Sequence, residues 1–155
     1  MYFCAKPMDM ENILVRSHSG LRWIVLVLLI GAIVNAFNMS GKNQFEKKDR
    51  LLYMFAMISM HIQLVIGLVL YFISKRVQFS DGWMGDTKLR FFNMEHLMMM
   101  VLAIAIVTIG HIRAKKAADN NAKHATIRLW YIIGFIVLLA GIPWPFRNLG
   151  ITGWF

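Results

Sequence analysis

Residues 51–73, LLYMFAMISMHIQLVIGLVLYFI, run for 23 positions without a charge, and this stretch constrains the fold more than any other. At about 1.5 Å of rise per residue, a helix of that length crosses a hydrocarbon core of roughly 30 Å. Only Ser59, His61 and Gln63 are strongly polar within it. Such groups are expensive in lipid unless they face protein, a cavity or a cofactor.

Three further apolar stretches follow the same rule, and the charges sit in short clusters between them. The sequence predicts four spans over about 12–39, 50–74, 92–113 and 127–146. Short connectors favour neighbouring antiparallel helices, so the expected fold is all-α, an integral-membrane antiparallel four-helix bundle forming one domain over residues 1–155. Residues 1–11 are mixed and read as interfacial or loosely ordered. No small-residue cleavage site follows the first span, which is therefore expected to stay in the mature protein. Ser40-Gly41 reads as a helix stop, and Pro143 and Pro145 bend or end the fourth span.

The composition is 58% hydrophobic and 16% charged, which excludes an ordinary soluble domain and disfavours a disordered nucleic-acid tail. The net charge of +9 is better accounted for by anionic lipid headgroups than by nucleic acid, because the basic residues flank the apolar runs. A single cysteine, Cys4, excludes an intramolecular disulfide. The connectors at 40–50 and 113–128 hold nine of the 17 Lys and Arg residues. The positive-inside rule then puts both termini outside, periplasmic in a bacterial cytoplasmic (inner) membrane.

Three histidines fall inside spans. Measured from the basic ends of their helices, His18, His96 and His61 lie at depths of about 31, 25 and 16 Å, with boundary errors of several residues. Arg22 shares a helix face with His18, Arg16 lies two residues before His18, and Glu95 adjoins His96. This cluster fits one b-type haem per chain, with neutral imidazoles as axial iron ligands and Arg16 or Arg22 pairing with its propionates. In an up-down bundle His18 and His96 are diagonal and leave room for a porphyrin. They are the preferred ligands, and His61 is a substitute ligand, a neighbouring hydrogen-bonding group or a proton carrier. His111 and His124, beside the basic connector, read as interfacial or solvated.

The corresponding function is electron transfer, next to a quinol or a redox partner subunit. Two alternatives stand beside it. One is a non-catalytic accessory subunit whose histidines only join helices, in a homo-oligomer or a larger assembly. The other is a copper-handling protein using thioethers among Met54, Met57, Met60, Met94, Met98, Met99 and Met100. Neither CxxC nor HExxH is present, and no nucleotide-binding glycine loop occurs.

Four segments, RSHSGLRWIVL at 16–26, HIQLVIGLVLYF at 61–72, MEHLMMM at 94–100 and GIPWPF at 141–146, carry a resemblance that extends over nearly the whole chain. The chain resembles small four-helix bacterial membrane proteins labelled cytochrome b-like. That resemblance implies a compact membrane bundle and, by its label, haem held through the quoted histidines.

Overall fold

Each helix after the first starts at an acidic cap, which supplies acceptors for N–H groups that have no partner inside the helix. In the computed structural model, which describes residues 10–147 and 149, α1 is Met10–Asn38 and α2 is Lys47–Ile73. Glu46 and Asp49 form a reciprocal capping box at the start of α2, with the Glu46 backbone N–H donating to Asp49 Oδ2 at 2.8 Å. Helix α3 is Thr87–Lys115, capped by Asp86, whose Oδ1 accepts from the N–H groups of Lys88 and Leu89 at 2.8 and 2.9 Å. Helix α4 is Asn120–Gly141, where Asp119 Oδ1 accepts from the Ala122 N–H at 2.8 Å. Cys4, Lys6 and most of the N-terminal segment lie outside the described residues.

Two boundaries differ from the sequence expectation. Helices α3 and α4 begin earlier, at 87 and 120 rather than 92 and 127, because Asp86 and Asp119 cap polar turns ahead of the apolar runs. Helix α4 ends at Gly141 rather than near 146. Pro143 and Pro145 have no N–H to give to the carbonyls of Leu139 and Gly141, so the ladder stops there. A short 3-10 turn follows at Pro145–Arg147.

Helix α1 packs on α2 and α4, and α3 packs on α2 and α4, leaving α1/α3 and α2/α4 as the diagonals. The 39–46 and 116–119 connectors meet at one end, where Asn43 exchanges hydrogen bonds with Asn121 at 3.0 Å and Asn120 at 3.1 Å. At the opposite end Glu11 Oε1 accepts from Ser74 Oγ at 3.0 Å, tying the start of α1 to the end of α2.

The packing core uses small residues where helices approach: Ala32, Ala36, Ala56 and Ala103 are fully buried. Many large apolar side chains face outward as well, with Val65 61% and Ile136 60% exposed, while Asp49, Asn93, His111 and His124 are buried within the mainly apolar core. An exterior this apolar, with polar groups turned inward, is the reverse of a soluble bundle. All four helices are long and apolar enough to cross a membrane.

Candidate functional site

The orphan carbonyls at the end of α4 set up the site. Three of them find side-chain donors: Trp144 Nε1–H reaches Leu139 O at 2.9 Å, Arg147 Nη1 reaches Ala140 O at 2.8 Å, and His96 Nδ1 reaches Gly141 O at 2.7 Å. A carbonyl only accepts, so His96 carries its proton on Nδ1 and keeps its Nε2 lone pair free. Gly141 is required for this approach. A Cβ there would stand 2.5 Å from Met100 Cε and 2.7 Å from Met99 Cβ.

A π-helical turn, Phe91–Glu95, comes immediately before His96. It is held by Asn93, whose side chain accepts from the Gln78 N–H at 3.1 Å and donates to the Gln78 carbonyl at 2.7 Å. Tyr71 Oη–H donates to the Asn93 carbonyl at 2.9 Å. The wider turn puts Arg90 and Glu95, five apart, on one face, where they pair at 2.7 Å. Glu95 is thereby committed to Arg90, and the expected cluster of Glu95, His96 and Arg22 does not form.

His18 comes from the diagonal helix α1. Its ring lies 6.3 Å from that of His96, centroid to centroid, with planes at 73°. The space for it is provided by Gly67 on α2, where a Cβ would be 3.0 Å from His18 Cε1. Gln63, one turn earlier on α2, donates from Nε2 to the His18 carbonyl at 2.8 Å. His18 Nδ1 and Gln63 Oε1 are buried without a hydrogen-bond partner among the described residues.

Around these groups lies a cleft enclosing about 170 Å³ and open to the exterior, lined by His18, Arg22, Gln63, Gly67, Arg76 and His96 together with apolar side chains. The guanidinium groups lie against aromatic rings, Arg22 at 5.3 Å from Trp23 and Arg76 at 5.8 Å from Phe92. Met60 and Met100 also line the cleft.

His18, His96 and Arg22 are thus brought together; His61, Arg16 and Glu95 are not on the cleft. His61 donates from Nδ1 to the Met57 carbonyl at 2.9 Å, and its Nε2 lies 3.4 Å from Thr108 Oγ1. Thr108 is 12 residues beyond His96 on α3, an axial offset of about 18 Å. Sequence depth alone allowed any two of the three histidines to share a level; His18 and His96 do, and His61 does not. Gln63 and Gly67 were missed as site residues. Their signal was the 3–4 spacing of Met60, Gln63, Leu64, Gly67 and Tyr71, all on one face of α2.

Of the two expectations for His111 and His124, the solvated one is overturned, since they are 5% and 0% exposed; they remain at the end of the bundle that carries the basic connector. At the basic end of the bundle Asn35 Nδ2 donates to Asp49 Oδ1 at 2.9 Å and to Tyr53 Oη at 3.0 Å. Tyr53 Oη–H donates to His124 Nδ1 at 2.7 Å, and His124 Nε2–H donates to the Gln44 carbonyl at 2.8 Å. Tyr131 Oη–H donates to the Tyr53 carbonyl at 2.9 Å, so its oxygen accepts from His111 Nδ1–H at 3.2 Å.

Among the described residues no three His, Cys, Asp or Glu side chains are grouped to hold a metal ion. Comparison with protein-family models, with curated proteins and with solved structures finds no match to this chain.

Proposed function

We propose that this protein is a multi-pass membrane protein that holds one b-type haem between His18 and His96 and passes electrons. The supporting observation is the pairing of two imidazoles from diagonal helices at 6.3 Å in a cleft lined mostly by apolar side chains. That separation would let His18 and His96 hold one metal between them through a ring nitrogen each, with metal–nitrogen bonds of about 2 Å. If these histidines only joined helices, a hydrogen bond between them or to a neighbour would be expected on each. His96 has one, to Gly141, and it leaves Nε2 free, as is usual for a metal-bound histidine oriented by a backbone carbonyl. His18 Nδ1 has none, and a buried polar atom without a partner calls for an explanation.

The residues fit the group in donor type, and Gly67 leaves the room in which the His18 ring sits. The closed part of the cleft is smaller than a whole porphyrin, so its open side belongs to the site as well. Arg22 and Arg76 supply positive charge for carboxylates at the cleft. Gln63 fixes the α1 backbone at His18, and Gly141 fixes the His96 ring. A haem held there by His18 and His96 would supply a one-electron couple, which suits electron transfer.

The outward apolar faces support placement in a membrane, and the charge of the connectors favours both termini outside; a bacterial inner membrane and a quinol or redox subunit beside the bundle complete the proposal. The likeness to cytochrome b-like proteins belongs to this proposal and adds no independent weight. Met60 and Met100 on the same cleft favour copper(I) as the second reading, in a His and thioether site. Titration of the purified protein with haem and, separately, with copper(I) distinguishes the two. Saturation at one haem per chain with a low-spin spectrum supports the first; tight copper binding without haem uptake rejects it.

A further inference from the structure

A second cleft of about 590 Å³ opens at the other end of the bundle, between the start of α2, the end of α3 and the start of α4. Four cations line it: Lys47, Arg50, Lys115 and Lys123. Among the described residues Lys47, Arg50 and Lys115 make no ion pair. Lys123 Nζ reaches only Asn120 Oδ1, at 3.1 Å, and the Phe45 ring, at 5.2 Å. The one carboxylate on the lining, Glu46, is engaged by Lys48 at 3.1 Å and by the capping box.

The same cleft is lined by His111, which is 5% exposed and whose Nε2 is buried with no partner among the described residues. Its tautomer follows from its neighbours. Tyr131 gives its only proton to the Tyr53 carbonyl, so His111 must donate from Nδ1, and Nε2 is a bare acceptor. The cleft therefore offers cations for an anion, and His111 on its wall holds a bare acceptor that a ligand hydroxyl reaches once the side chains covering Nε2 move aside.

We infer that this cleft binds a glycerophosphate group, with the phosphate among Lys47, Arg50, Lys115 and Lys123 and a glycerol hydroxyl donating to His111 Nε2. The cleft lies where α2 begins and α3 ends, at headgroup depth for a bundle crossing a bilayer. Basic pockets of this kind between helices take anionic headgroups. A phosphatidylglycerol headgroup carries both features; so does free glycerol phosphate. The inference needs the bundle in a bilayer but is independent of haem.

The test uses the full-length protein in neutral detergent and follows thermal unfolding with short-chain lipids. Phosphatidylglycerol is compared with phosphatidylmethanol, which has the same charge and no hydroxyl, with phosphatidylcholine, and with soluble glycerol phosphate. Phosphatidylglycerol should bind about fivefold more tightly than phosphatidylmethanol, the worth of one hydrogen bond. Replacing Lys47, Arg50 and Lys115, all exposed, with Gln should weaken both anionic lipids by more than about tenfold. The variant His111→Phe should equalise the two lipids while leaving the phosphate contribution. Saturable protection by glycerol phosphate itself would assign the site to a soluble ligand of the same chemistry; its absence, with the lipid preference present, assigns it to lipid. Equal binding of the two anionic lipids by the unaltered protein, or binding that survives the triple replacement, overturns the inference.

Discussion

Gly67 gives the sharpest test of whether His18 serves as a ligand. A methyl group at Gly67 would stand 3.0 Å from His18 Cε1 and 3.6 Å from Nδ1. Carbon atoms pack at about 3.5–4.0 Å, so Gly67→Ala pushes the ring back by about 0.5 Å or more. Metal–imidazole bonds tolerate only about 0.2 Å. If His18 binds iron, Ala must weaken haem binding, by about tenfold, and Gly67→Val, with two more methyl groups, must abolish it. The stability of the haem-free protein should move the other way for Ala, because alanine favours a helix over glycine by up to about 1 kcal/mol. The assay is a haem titration followed at the Soret band, paired with thermal unfolding of the haem-free protein. The reasoning is refuted if Gly67→Val binds haem with unaltered affinity and spectrum.

Replacing Gly141 with Ala sets a methyl group 2.5 Å from Met100 Cε, and overpacking of this kind destabilises by about 1–3 kcal/mol; here both the unfolding midpoint and the haem spectrum should change, and an unchanged midpoint would show that α3 and α4 can separate freely. Tyr53→Phe leaves Nδ1 of the fully buried His124 without its donor at 2.7 Å, which should lower stability by about 1–3 kcal/mol as measured by thermal or denaturant unfolding. Because Tyr53 lies at the basic end, the haem spectrum of that variant should not move, and a spectral shift would contradict the separation of the two ends. His61→Leu should retain a full complement of haem with the same low-spin bands; loss of haem would return His61 to the ligand set.

Four apolar stretches separated by charge clusters made the helices readable, since helix length follows directly from bilayer thickness. The diagonal placement of His18 and His96 was readable too, because short connectors force an up-down bundle, although depth left any two of the three histidines open as the pair. Several particulars were not. The π turn at Phe91–Glu95 shifts the register by one residue, and nothing in FFNME announces it, so Glu95 could not be assigned to Arg90. His61 depended on helix ends guessed to within several residues, and its sequence depth differed from that of His96 by only about 9 Å, so the sequence could not separate it from the pair. His111 and His124 stand beside a basic run and look solvated. Their burial depends on Tyr53, Tyr131 and Asn35, which arrive from other helices, and long-range partners leave no local mark.

The haem assignment is tested most directly by the reduced-minus-oxidised absorption spectrum of the membrane-purified protein and of its His18→Ala/His96→Ala double variant, with haem in adequate supply. The unaltered protein is expected to show sharp low-spin b-type bands at about one haem per chain, and the double variant to lose them while still forming a folded helical bundle by circular dichroism. A colourless protein, or a double variant that keeps the same low-spin bands, would contradict the account.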